Sequence, residues 1–253
     1  MIDSLIRTVA DLPEAGEHVA AWAMDCSEGG DPHVSVVTGL GSPPMRPPRA
    51  REVFLWLGSP GVGQWEQFLP YLVAGERERA ARFYHEEDRW SFAAAHAGLR
   101  ILLSAALGIA PPEIAFVTGA RGKPRLDPAR HGREAVRSVE FNISHTRGLV
   151  AAALAARPVG VDVERRREMN DMLAVAERFF APESCATLKT AGADARTDMF
   201  FRFWSLGEAF IKATGEGIAQ GLHSFAFTAH GAPRLLRVDE PFGPAERWRF
   251  GVL

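Results

Sequence analysis

The stretch VEFNISHTRGLVAAALAARPVGVDVE, Val139 to Glu164, decides the architecture of this 253-residue chain. It reads as three short strands in succession. In the first, Val139, Phe141 and Ile143 alternate with Glu140, Asn142 and Ser144, the two-residue period of a strand. The second, within Leu149 to Ala156, is wholly apolar and is expected to be buried. In the third, Val159, Val161 and Val163 share one face, while Gly160, Asp162 and Glu164 share the other.

Helical patterns flank these strands. Upstream, Gly75 to Phe83 and Asp88 to Leu107 are expected to be helical, with Gly108 as the stop of the second. Arg79 and Arg82, three apart, lie on one face of the first. IAFVTGARGKPRLD then reads as a strand followed by a Gly-rich turn. Downstream, Asn170 or Asp171 can cap a helix through Phe180, and Pro182 suits the first turn of another. Asp198 is expected to open the strongest helix, DMFFRFWSLGEAFIKAT, and Gly215 to end it. Its apolar stripe holds Phe200, Phe203, Trp204, Gly207, Phe210 and Ile211, with Glu208 and Lys212 one turn apart beside it.

Towards the N-terminus, EVFLWL, Glu52 to Leu57, is strand-like and ends at a turn over Gly58 to Gly61. Residues 1–50 read as an extension ending in a Pro/Gly-rich linker that begins at Gly39. Strands and helices alternate once before about Arg157 and once after. The expected fold is therefore α+β with two pseudo-symmetric halves, residues 51–156 and 157–253. Each half is a small, mainly antiparallel sheet with helices, and the active site lies in the cleft between them.

The bulk composition narrows the function classes. With 47% hydrophobic residues, 24% charged residues and a net charge of -2, the chain has an ordinary globular profile, and nothing points to nucleic acid or membrane. Cys26 and Cys185 are too few and too far apart for a disulfide framework or a structural zinc site. The N-terminal segment lacks the basic-then-apolar pattern of a leader, so a cytoplasmic protein is expected.

Several residue groups carry possible chemistry. Asp162 and Glu164, two apart on a strand, aim two carboxylates the same way, which suits a hard divalent cation such as Mg²⁺. Two solvated acids balanced by Arg165 to Arg167 remain the alternative. Glu208 borders a buried stripe and is partly desolvated, which calls for a metal or a cation; a plain helix-surface pair with Lys212 is the alternative. TGARGKPRL is not a P-loop, because Val117 replaces the first Gly and Pro124 follows the lysine. Lys123 on that turn can still meet phosphate, or be an ordinary turn lysine. Ser144 and His145 are strand neighbours, point to opposite faces and cannot form a dyad. His145 is then either structural or a phosphate donor.

In order, GKP, FNISH, VGVDVE, FFAPES and WSLGEAFIKATGEG resemble a 4′-phosphopantetheinyl transferase of the larger, surfactin-synthetase-activating (Sfp) type. The resemblance covers about Val53 to Phe227 and is strongest from Gly122 to Gly217. It implies transfer of phosphopantetheine from coenzyme A to a serine of an acyl or peptidyl carrier protein, with release of 3′,5′-ADP and dependence on Mg²⁺. Carriers of fatty acid, polyketide, nonribosomal peptide or siderophore synthesis all fit. By similarity Asp162, Glu164 and Glu208 are metal ligands, Glu208 is also the general base, and Lys212 assists at the phosphates or the leaving group. Lys123, Pro124, Ser144 and His145 match contacts to coenzyme A, as do Arg79 and Arg82 near the nucleotide. Gly207 departs from the pattern by standing where the family has a lysine, which removes a cationic contact and suggests close packing there. A monomer is expected, since two halves in one chain can complete the site. The rivals are a metal-dependent hydrolase of the coenzyme A pyrophosphate and a non-catalytic carrier-binding module.

Overall fold

Two sheets face each other in the computed structural model, which describes residues 17–38, 44–59, 65–119 and 121–253, and each sheet carries one long helix on its outer side. In chain order the elements are β1 (His18–Asp25), β2 (His33–Thr38), β3 (Glu52–Gly58), α1 (Ala74–Ala81), α2 (Glu86–Leu107), β4 (Phe116–Thr118), β5 (Pro124–Leu126) and α3 (Pro128–Ser138). There follow β6 (Glu140–Thr146), β7 (Leu149–Ala155), β8 (Val159–Arg165), α4 (Met172–Phe179), α5 (Pro182–Thr190), α6 (Ala193–Thr214), β9 (Phe225–Phe227), β10 (Leu235–Val238) and β11 (Trp248–Val252). The first sheet runs β2-β3-β7-β6 and the second β11-β1-β8. All of their pairings are antiparallel except β2 with β3.

Side-chain alternation explains the layering. Val53, Leu55 and Leu57 of β3 and Val159, Val161 and Val163 of β8 fill the space between the sheets, together with Ala20, Trp22 and Met24 of β1. The opposite faces of the same strands meet the helices: Phe54 and Trp56 pack on α2, and Val19, Ala21 and Ala23 pack with the rings of α6. Burying each such large side chain stabilises the fold by about 1.5–3 kcal/mol. The halves echo each other: α2 and α6 are both 22 residues long, and each ends on a left-handed glycine, Gly108 and Gly215. The apolarity of α2 reflects burial against the first sheet.

The N-terminal reading needs correction. Residues 18–38 are not an extension: β1 is the central strand of the second sheet, between β8 and β11, and β2 is an edge of the first. The strand HVAAWAMD is buried along its whole length, so it has no polar face to give a period. The linker residues 39–43 and the end of the Gly58–Gly61 turn lie outside the described residues. The rest of the linker is pinned, because Arg46 donates to both carboxylate oxygens of Glu52 at 2.6 and 2.7 Å, and the Arg49 N–H donates at 2.8 Å. One helix start differs, and one cap sits where the sequence placed it but lacks its expected bond. α6 begins at Ala193 and not at Asp198, and Asp171 occupies the cap position of α4 without a side-chain capping bond.

The Arg46 hydrogen bonds hold the Glu52 carboxyl at about 2, well below its ordinary 4.5. A lowered folded-state pKa means that the stabilisation is present above pH 4.5 and is lost as the pH falls towards 2. Wild type is therefore expected to be more stable to urea than Glu52→Gln at pH 6, with the gap closing between pH 4.5 and 2. A gap independent of pH would contradict the assignment.

Candidate active site

The site begins with a missing side chain. Gly160 of β8 faces α6 so closely that a Cβ there would lie 2.0 Å from the Ala209 carbonyl oxygen and 2.6 Å from the Ala213 nitrogen. These are backbone atoms, so neither can step aside. The approach brings α6 directly onto the strand that bears Asp162 and Glu164. Glu208 and Lys212, the residues preceding Ala209 and Ala213, are thereby delivered to the same strand.

Asp162 is the buried centre, with 4% of its surface exposed. Its Oδ1 accepts from Lys212 Nζ at 2.7 Å and from the Ser144 hydroxyl at 3.0 Å. Its Oδ2 is buried and has no hydrogen-bond partner. Lys212 also donates to Ser144 Oγ at 3.0 Å and to the Val161 carbonyl at 3.3 Å. Ser144 accepts in addition from the Val163 N–H at 3.4 Å, and Asn142 Oδ1 accepts from the Val161 N–H at 3.0 Å. Two polar side chains of β6 thus supply hydrogen bonds to the backbone of β8 and join the two sheets at the site.

The two flanking acids are electrostatically uncomfortable. Burial raises the Glu164 carboxyl above its ordinary range and the charge of Asp162 adds to this, while Arg167, Lys212 and a hydrogen bond from the Trp204 indole oppose it. Burial likewise raises Glu208; Lys212 counters and Asp162 reinforces. Among the described residues no three carboxylate, imidazole or thiol groups converge closely enough to chelate a metal ion. The ammonium of Lys212 is the cation bonded to Asp162. The unpartnered Oδ2, within electrostatic reach of two more carboxyl groups that burial raises above their ordinary range, is nevertheless suited to a hard divalent cation.

A cleft of about 210 Å³ opens next to these groups, lined by Lys123, Pro124, Asn142, Glu208, Lys212 and Arg121 among others. Lys123 donates to the Val159 carbonyl at 3.3 Å, and burial lowers its ammonium below the usual lysine range, with Glu140 opposing. Arg121 pairs with Glu216 and so ties the β4–β5 turn to the loop after α6. The structure therefore gathers Lys123, Pro124, Glu208 and Lys212 on one cleft.

Ser144 and His145 part company, as neighbouring strand residues must. Ser144 turns inward to Asp162. His145 lies on the other face, where burial lowers its imidazole; Lys212 and Arg79 push it further down, and Asp88 opposes. Arg79 stacks over the Phe92 ring at 5.1 Å on this side. Arg82 is exposed at the C-terminal end of α1. The sequence reading passed over Asn142, although it shares a face with Ser144 in FNISH and that spacing could have marked it.

Comparison with known proteins decides what the site belongs to. Residues 56–158 match the N-terminal domain model of 4′-phosphopantetheinyl transferase, and residues 158–253 match the 4′-phosphopantetheinyl transferase superfamily. The 4′-phosphopantetheinyl transferase HetI of Nostoc is 36% identical over 187 residues, spanning 72% of this chain and 77% of that protein. The chain belongs to the 4′-phosphopantetheinyl transferase family. The Bacillus subtilis transferase Sfp is 32% identical over 65% of this chain and 70% of its own length. A further Bacillus subtilis 4′-phosphopantetheinyl transferase is 31% identical over similar shares, 65% and 70%.

As a phosphopantetheinyl transferase the chain is an enzyme that moves phosphopantetheine from coenzyme A to a carrier protein, and neither the hydrolase nor the non-catalytic module is favoured. At Gly207, where the transferase pattern has lysine, a Cβ would lie 2.4 Å from Leu222 Cδ2 and 3.2 Å from a Phe225 ring carbon. A side chain there starts into the apolar core, consistent with the close packing expected from the sequence. Gly160→Ala is expected to cost at least about 2 kcal/mol in urea unfolding and most of the transfer activity, because backbone must move. Gly207→Ala meets side-chain ends and gains about 1 kcal/mol of helix propensity, so its loss is expected to be smaller. The reverse ranking would contradict the role given to Gly160.

Proposed function

We propose that the chain attaches the 4′-phosphopantetheine of coenzyme A to a serine hydroxyl of an acyl or peptidyl carrier protein and releases 3′,5′-ADP, with Mg²⁺ held by Asp162, Glu164 and Glu208. What carries the reading is the meeting of Lys123, Glu208 and Lys212 on one cleft, with Lys212 bonded to a buried aspartate whose second oxygen is unpartnered. The three acids form an all-oxygen donor set, the kind that magnesium prefers. Mg²⁺, when bound, would neutralise charge on the pyrophosphate and polarise its oxygens.

The protein's own groups account for the remaining steps. Lys123 and Lys212 bring positive charge to the pyrophosphate from two sides of the cleft. Glu208, whose carboxyl burial raises above its ordinary range, takes the proton of the incoming serine hydroxyl. The serine oxygen then attacks the phosphorus bearing pantetheine. The bond to the 5′-phosphate of 3′,5′-ADP breaks, and the bonding pair leaves with that oxygen. Positioning and charge neutralisation supply most of the acceleration, as in other phosphoryl transfers. His145 and Arg79, on the α2 side of β6, are offered to the nucleotide phosphates.

Incubation with coenzyme A, Mg²⁺ and an apo carrier protein, followed by intact-mass measurement, tests the reading. Wild type is expected to add one phosphopantetheine to a carrier serine. Glu208→Gln is expected to bind coenzyme A yet transfer ~10² to 10⁴ times more slowly; near-normal turnover removes Glu208 from the base role. Asp162→Ala is expected to lose Mg²⁺-dependent transfer, and an unchanged metal titration would defeat the ligand assignment.

A further inference from the structure

We propose that the Lys212 ammonium is an internal counter-cation that competes with the divalent metal for Asp162, and that coenzyme A relieves this competition by drawing the ammonium onto its phosphates. The inference rests on the metal and phosphate roles proposed above and adds an order to them: tight metal binding follows, and does not precede, occupation of the cleft by substrate.

The argument starts from valence. An ammonium has three N–H donors. Those of Lys212 have three acceptors at hydrogen-bond distance, namely Asp162 Oδ1 at 2.7 Å, Ser144 Oγ at 3.0 Å and the Val161 carbonyl at 3.3 Å. No donor is left over for a phosphate, so at least one of these bonds must break before Lys212 can serve a substrate. Lys212 also lines the cleft, so the ammonium can reach a ligand there by changing its side-chain torsions alone. Ser144 keeps the parked position in place, since its hydroxyl donates to Asp162 while accepting from Lys212.

The acceptor side of the competition is equally specific. Asp162 is 4% exposed, its Oδ1 is shared by Lys212 and Ser144, and its Oδ2 has no partner. A metal ion on Oδ2 would share one carboxylate with an ammonium, and repulsion between cations is strong where water is excluded. The free site is therefore satisfied by lysine and only partly open to metal. Coenzyme A changes the balance by offering the ammonium phosphate oxygens in exchange for a carboxylate oxygen.

Titration of Mn²⁺ into the protein, followed by electron paramagnetic resonance of the unbound ion, tests this without turnover. Without coenzyme A, Lys212→Met is expected to bind Mn²⁺ at least tenfold more tightly than wild type, whereas Lys212→Arg, which keeps a cation, is expected to stay within threefold of wild type. Equal affinity in wild type and Lys212→Met, with binding still abolished by Asp162→Asn, overturns the competition and leaves the metal site standing. Mn²⁺ binding that Asp162→Asn leaves unchanged overturns the metal assignment itself. Should Lys212→Met not fold, wild type alone decides the matter through the ¹⁵N resonance of the Lys212 ammonium. Its shift is expected to change when coenzyme A and Mg²⁺ are added together, and an unchanged shift at saturation overturns the proposal.

Discussion

The backbones of α6 and β8 touch at Gly160, and the arrangement of the site follows from that touch. The two atoms that a Cβ would strike, the Ala209 oxygen and the Ala213 nitrogen, face each other across one helical turn, and each belongs to the residue just after a polar group of the site. Helix geometry then leaves little freedom: once the turn from Ala209 to Ala213 rests on Gly160, Glu208 and Lys212 are fixed in height along β8. The rings of α6, among them Phe200, Phe203 and Phe210, press the helix onto the sheet and hold that height.

The seam between the sheets follows a second economy. β6 and β8 run side by side, yet what binds them at the site is Asn142 and Ser144 reaching across to the N–H groups of Val161 and Val163. Satisfying buried backbone donors is obligatory. Here the obligation is met by side chains that also line the cleft or hold Lys212. Ser144 in particular serves three partners through one atom. Its hydroxyl helps to close the seam, orients the ammonium and hydrogen-bonds the buried carboxylate.

Much of this was legible in the residues because the local signals agreed with the global fold. The strands β6, β7 and β8 declared themselves by alternation or by unbroken apolarity, and α2 and α6 by long apolar stripes ending on Gly108 and Gly215. β1 left no such mark, since a strand covered on both faces has no polar alternation and its neighbours are distant in sequence. The start of α6 was placed late because its first turns, rich in polar residues, carry no apolar stripe. At the site, the motifs named Lys123, Pro124, Glu208 and Lys212, and these four line one cleft. The bond between Lys212 and Ser144, 68 residues apart, was invisible, because periodicity reports which way a side chain points and not what it meets. Gly160 was similarly unreadable as a contact point, since a glycine in a strand has several possible reasons.

The position of β1 bears on how the protein comes to exist. This strand is made long before both of its sheet partners; the ion pair from Asp25 to Arg247 spans 222 residues. Its eight buried residues have no native cover during most of synthesis. The first sheet can assemble early from β3, β7 and β6, but the half bearing the carboxylates closes only when β11 has arrived. Folding of this half thus waits for β11, and a nascent protein truncated before β11 exposes an unpaired, largely apolar strand edge that invites chaperones or aggregation.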